Sequence, residues 1–223
     1  MSITTKFVDP TNVFLELTTT YNLNPNLTSK TSSAIELDIS NQITTFFNNN
    51  LKTFNKTFRR SNLLTDIDDL DDAILNSRMD VKVQMRISSD TDPSILLGTS
   101  KDYTLTFPMK ISKEDDENFI VTTSTFTFNG KECSIRNKLS SKILQIISAD
   151  GVEVDNIGSY DEGGILTLNG FAPTALAGSV LKVSVVPANQ STVRPLLNYI
   201  LDIDDTLSTV TTILDFDNIR LTL

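Results

Sequence analysis

The sequence predicts an α+β fold that is predominantly β, with a strand–helix–strand–helix–strand N-terminal unit followed by a β-hairpin-rich region. Apolar and polar residues alternate over much of the chain, the period of a half-buried strand. Two stretches in the first third carry apolar residues at helical spacing instead. Farther on, Asn-Gly and Asp-Gly pairs stand between alternating runs, the chemistry of tight hairpins. The 223 residues suffice for one large or two small domains with a proper core. The polar break Ser88-Ser89-Asp90-Thr91-Asp92-Pro93 is the candidate boundary. It divides an α+β unit over 1–90 from a β-rich region over 91–223, whose last ~30 residues are candidates to pair back with the first domain.

The first strand is predicted where Val13, Leu15, Leu17, Thr19 and Tyr21 alternate with Phe14, Glu16, Thr18 and Thr20. Asn22 to Lys30, with Pro25, reads as loop. Ser33 followed by Glu36 has the form of a capping box. Ile35, Ile39, Ile43, Phe46 and Phe47 then form one apolar stripe, and Asn48-Asn49-Asn50 suits the end of that helix. A shorter helix is predicted with Ser61 as its cap, Leu64, Ile67 and Leu70 toward the core, and Asp66, Asp68 and Asp69 mostly near its start, where the dipole favours anions. Asp71-Asp72 reads as a turn, and Val81, Val83, Met85 and Ile87 as the strand that follows.

Beyond the break, Tyr103, Leu105, Phe107, Met109 and Ile111 alternate as one strand. Phe126 to Phe128, Asn129-Gly130, then Cys133 and Ile135 give the strongest hairpin signal, suited to a type I′ turn. Ile143 to Ile147, Asp150-Gly151 and Val152 to Val154 give another. Ile165 to Leu168 and Leu181 to Val186 add strands, and Pro187 and Pro195 bracket a loop. Leu196, Leu197, Ile200 and Leu201 fit a helical turn or a strand equally well. Val210 to Ile213 and Ile219 to Leu223 read as closing strands.

Composition excludes several function classes. With no His, triads built on a His base and His-ligated zinc or haem sites are absent. A single cysteine, Cys133, rules out a disulfide framework within the chain. A net charge of −9 makes duplex nucleic acid a poor partner. No stretch approaches the roughly 20 apolar residues of a membrane span, and Met1 to Lys6 has no hydrophobic segment of a secretory signal.

The sharpest local motif is Tyr199-Ile200-Leu201-Asp202-Ile203-Asp204-Asp205-Thr206-Leu207. It resembles the Asp-x-Asp-x-Thr motif of haloacid-dehalogenase-type phosphatases. That resemblance would make Asp202 the nucleophile on phosphorus and Asp204 the general acid/base, with magnesium beneath. The context refuses it: the motif belongs at the start of a doubly wound domain, and no strand–helix alternation precedes it here. Asp66 to Asp72 resembles a calcium loop in charge alone. Leu70, Asp71 and Ser77 stand where a ligand, a Gly and a Glu are required, so a solvated acidic helix face is the better account. Gly158 to Gly164 lacks the Lys and following helix of a phosphate cradle and reads as a hairpin loop. Arg59-Arg60 suits salt bridging or a partner contact, and Cys133, with no His to activate it, suits an apolar strand position.

The order of elements, with several phrases, resembles the baseplate wedge subunit of T4-like contractile-tailed bacteriophages, a relative of the broader baseplate-J-like family. The phrases are Asn12 to Tyr21, Ser33 to Leu51, Phe54 to Arg60 running into Ser61-Asn62-Leu63-Leu64, Phe126 to Lys131, Gly158 to Asp161, Leu166 to Pro173, Val185 to Gln190, and Ile200 to Asp204. It covers nearly the whole chain but only the C-terminal portion of the longer family protein. The resemblance implies a structural subunit without enzymatic activity, cofactor, metal or site residues. Its implied partners are itself, as a homodimer or ring, and other wedge proteins, around the tail hub. It implies no nucleic acid, membrane or small-molecule substrate. Its implied location is the virion, in a tail baseplate assembled in the host cytoplasm. The other classes are a β-rich extracellular binding module, an adhesin or carbohydrate binder, which would want an aromatic platform although Trp is absent, and the magnesium-dependent phosphatase using Asp202 and Asp204.

Overall fold

The computed structural model describes residues 11–91, 94–195 and 199–215. Strands dominate among them, and two helices are present. The first part runs β1 (Thr11–Leu23), α1 (Ser32–Asn50), β2 (Phe58–Arg59), α2 (Arg60–Asp68), β3 (Ile74–Ile87). Then come β4 (Lys101–Thr106), β5 (Val121–Thr123), β6 (Phe126–Phe128), β7 (Lys131–Asn137), β8 (Ile143–Ser148), β9 (Glu153–Tyr160) and β10 (Ile165–Phe171). The chain continues through β11 (Ala175–Leu176), β12 (Leu181–Val185), β13 (Thr192–Val193), β14 (Tyr199–Ile203) and β15 (Thr209–Leu214).

One sheet collects nearly all of these strands in the order β14-β1-β3-β12-β5-β7-β8-β9-β10-β4. β15 also pairs with β1, β6 with β7 and β11, while β2 and β13 form a separate pair. β1 and β3 are antiparallel from Phe14↔Gln84 to Leu23↔Ile74. Val13, Leu15, Leu17, Thr19, Tyr21 and Leu23 point to the buried face, and α1 brings Ile35, Ile39, Ile43, Phe46 and Phe47 into the same core. Phe46, Phe47 and Phe58 pack as an aromatic trio with centroids 5.9–6.3 Å apart. The opposite face of β1 and β3 is polar, with Glu16 beside Lys82 and Thr18 beside Asp80.

Several sequence expectations need correction. α1 is capped by Thr31, whose Oγ1 accepts from the Ala34 N–H at 3.2 Å. Ser33 therefore lies inside the helix, and Glu36 accepts instead from the Thr212 hydroxyl, so the capping box does not form. α2 begins one residue before Ser61, and no side chain caps it. Leu63 and Ile67 are its buried residues, while Leu64 and Leu70 are only partly buried. Asp66 and Asp68 lie in its last turn and Asp69 caps its end, so they meet the negative end of the dipole rather than the positive one. Burial of Leu63 and Ile67 and the Arg60 side chain, which donates to Met79 O at 2.9 Å, hold this short helix in place.

The strand predicted through Ile111 stops at Thr106. Pro108 cannot donate to a ladder. Phe107 N donates instead to Gly164 O, and Ile111 forms an isolated bridge with Pro187. The alternation of burial ends there, since Phe107 and Pro108 are both buried, although Phe107 and Ile111 still reach the core. In the β6–β7 turn, Asn129 and Gly130 both have positive φ (50° and 75°), as a type I′ turn requires. β9 extends to Tyr160, well past Val154, so Gly158 to Tyr160 is strand and the loop shortens to Asp161–Gly164. Gly158 is needed there: a Cβ would lie 1.9 Å from Thr167 O on β10. Ile200 and Leu201 are strand, in β14, whereas Leu196, Leu197 and the stretch Ile219 to Leu223 lie outside the described residues.

Both β14 and β15 run parallel to β1, end to end along one edge: Thr11↔Tyr199 to Leu15↔Ile203, then Thr18↔Thr209 to Leu23↔Leu214. The phosphatase-like string lies at the join between them.

Candidate functional site

β14 carries Asp202 and ends at Ile203, and Asp204 N donates to Leu15 O at 2.9 Å, prolonging the ladder by one bond. The chain then turns. Asp204 Oδ1 accepts from Thr206 N (3.0 Å), Thr206 Oγ1 (2.6 Å) and Leu207 N (3.3 Å), an Asp-headed turn of the kind short polar side chains favour. Ser208 Oγ accepts from Leu17 N at 3.1 Å and fills the gap in the ladder before β15 begins.

The second oxygen, Oδ2, receives Lys182 Nζ from β12 at 2.7 Å and Arg86 Nη2 from β3 at 3.1 Å. Lys182 also donates to Thr206 Oγ1 at 2.6 Å. Arg86 donates through Nε to Gln84 Oε1 at 2.9 Å and lies over the Phe14 ring, 3.4 Å from its centroid. Asp204 is 1% exposed. Burial opposes its ionisation, but Lys182, Thr206 and Gln84 outweigh it, so the carboxyl stays well below the usual carboxylate range. The cluster thus joins β1, β3, β12 and the β14–β15 turn through one buried charge.

This geometry commits Asp204 to the fold and leaves it no free oxygen for the acid/base role of the motif. Both Asp204 oxygens are occupied. Asp202 pairs with Lys52 at 3.2 Å, and its Oδ1 accepts from Ile203 N. Sequence reasoning singled out Asp202 and Asp204 but missed Arg86 and Lys182, the cations that define the cluster. Each occupies the polar phase of an alternating strand, where an ordinary solvated residue looks the same.

The remaining flagged residues serve the fold. Among the described residues, no group of three or more carboxylate or thiol side chains could hold a metal ion, the Asp66–Asp72 run included. Arg60 braces Met79 O and Ser191, while Arg59 lies in β2 opposite Thr192. Cys133 is buried opposite Ser148, and burial pushes its thiol pKa up. A cleft of about 720 Å³ opens between the polar face of β1–β3 and the segment 112–120. Its wall mixes signs, Asp80, Lys82, Lys113 and Glu114, and the Asp115 carboxylate is occupied by Glu117 N (2.8 Å) and Asn118 N (2.7 Å). The charged groups of the Asp204 cluster tie strand to strand.

Residues 11–86 match the family described as baseplate structural protein gp6, C-terminal domain III. The matched segment is β1 through nearly all of β3, with both helices. The match supports a structural role in a phage baseplate, located in the virion tail, with other baseplate components as interaction partners. No curated protein matches the chain.

Proposed function

We propose that this protein is a structural subunit of the baseplate wedge of a T4-like contractile-tailed phage. Copies associate with each other and with other wedge proteins to form the ring around the tail hub, after assembly in the host cytoplasm. The observation that carries the reading is the baseplate-family match over 11–86, the segment that forms β1, both helices and β3. The Asp204 cluster is consistent with it: charged residues are spent on holding strands together. A division of the chain near residue 90 accompanies this reading, with the α+β unit over 1–90 and the β-rich region over 91–223. Enzymatic activity has no place in it.

Quantitative mass spectrometry of purified tails from the source phage tests the role. The chain is expected at a fixed ratio to the other wedge proteins, and its absence from intact tails would overturn the reading. Sedimentation velocity of the isolated chain tests self-association, with species larger than a monomer expected.

A further inference from the structure

We propose that a small apolar pocket beside β13, with the unpaired cations around it, docks an acidic segment of another baseplate protein, one apolar side chain of which enters the pocket. This rests on the structural role put forward above and gives one partner contact a place.

The pocket, of about 180 Å³, is walled by Met109, Pro187, Ala188 and Val193, with Thr192 and the exposed Lys110 completing its lining. A cavity of roughly 150 Å³ accepts a benzene ring, so one aliphatic or aromatic side chain fits. The loop that shapes it is held by its own bonds. Ala188 N donates to Lys110 O at 2.9 Å, and Ile111 bridges Pro187. Asn189 Oδ1 accepts from Ser191 N at 2.9 Å and Thr192 N at 3.2 Å. The site is therefore formed before anything binds, which lowers the ordering cost of a docked segment.

Charge selects the occupant. Lys30, Lys52, Lys82, Arg86, Lys142 and Lys182 each meet a carboxylate. Arg59, Lys110 and Arg194 meet none among the described residues. Arg59 stands opposite Thr192 in the β2–β13 pair, and Arg194 follows Val193. Both are exposed and lie on the Thr192 face, the reverse of the buried Phe58–Val193 pair. Arg60 adds a positive charge beside Ser191, since its guanidinium binds the neutral Met79 O and Ser191 Oγ. Among the described residues no carboxylate lines the pocket. The undescribed residues hold Asp9, Asp92 and Asp217 against Lys6 and Arg220, a surplus of one acid, and 196–198 beside the patch hold no charge. Cations without acids, set around one apolar pocket of a chain of net charge −9, call for carboxylates from another molecule.

The test is fluorescence anisotropy on the full chain with labelled peptides Asp-Glu-X-Glu-Asp, where X is Leu, Ile, Met or Phe. Saturable binding by at least one is expected, about tenfold weaker when Asn replaces X or when Lys replaces the acids. Added salt should weaken it further. Ala188→Phe fills the pocket from an exposed position, and Arg59→Glu with Arg194→Glu reverses its surroundings. Each is expected to weaken binding about tenfold with unchanged circular dichroism. Lys131→Glu, on β7, should bind as wild type does. No binding by any peptide, equal binding of the Asn or Lys peptides, or binding that survives both variants overturns the proposal. So does a single-stranded oligonucleotide that binds more tightly and is lost in the double charge reversal, which would assign the patch to nucleic acid. Self-association abolished by Ala188→Phe would make a second copy the occupant and overturn it too. None of these failures touches the structural role, which the composition of purified tails tests by itself.

Discussion

The two halves of the sheet are assembled on different principles. β7, β8, β9 and β10 are neighbours in sequence and neighbours in space, each joined to the next by a short turn. β1 instead takes β3 on one side and β14 and β15 on the other, and the contact from Leu17 to Ser208 bridges 191 residues. The hairpin half is made of local contacts, which are cheap in loop entropy and quick to form. The β1 half has long strands and a helix-covered core but relies on a distant segment to complete its edge. That segment brings little apolar surface, since Leu201 and Ile203 are the buried side chains of β14 and β15 has none. Where hydrophobic burial is thin, the Asp204 ion cluster supplies the attachment.

The largest test of this contrast is Asp204→Ala. Stranding Arg86 and Lys182 without their carboxylate is expected to cost about 3–5 kcal/mol in urea unfolding, the usual penalty for removing one partner of a buried pair. The linkage sign is fixed by the depressed pKa. The contribution is in place above an unfolded carboxyl value of about 3.9 and is lost as pH falls through the lower folded value. Hydrogen exchange should quicken first in β14 and β15, with β7–β10 still protected; uniform loss of protection would erase the distinction between the halves.

Gly158→Ala probes the other half. Its Cβ would meet the Thr167 carbonyl, so β9 and β10 must separate, at an expected cost of about 1–3 kcal/mol. Here exchange should quicken in β9 and β10 and leave β1 and β3 as they were. A smaller effect is expected at alkaline pH. Burial pushes the Tyr160 phenol from 10.0 up to about 12, and its hydroxyl has no hydrogen-bond partner among the described residues. Stability should therefore hold below pH 10 and decline between pH 10 and about 12, a slope that Tyr160→Phe should reduce. The smallest effect belongs to Thr31→Ala, which removes the α1 cap and should lower the unfolding free energy by about 1 kcal/mol.

This division also decides what could be read in advance. The Asn129-Gly130 turn was legible because the backbone demand and the residues that meet it are adjacent. The α1 stripe from Ile35 to Phe47 was legible because periodicity is local. The α1 cap was misplaced by two residues because Ser33 and Thr31 are chemically alike, and only the trajectory of the chain chooses between them. α2 was misread more deeply: burial of Leu63 and Ile67 overrides the unfavourable placement of Asp66 and Asp68. The Asp204 cluster was half visible. Its acids stand in one conspicuous string, but Arg86 and Lys182 lie 118 and 22 positions away on strands whose neighbourhood is set by the finished sheet.

The pairing of β1 with β14 and β15 also bears on the order in which the protein is made. Residues 11–23 are translated well before residues 199–214, so the edge that β14 and β15 cover waits until those residues have left the ribosome. At about 5–20 residues per second, that delay is roughly 10–40 s. During that interval a thirteen-residue strand stands with one row of amides and carbonyls open to any nascent chain beside it. On a crowded polysome such bare ladders would meet one another, so the late arrival of the Asp204 turn marks the moment when each polypeptide withdraws from that hazard.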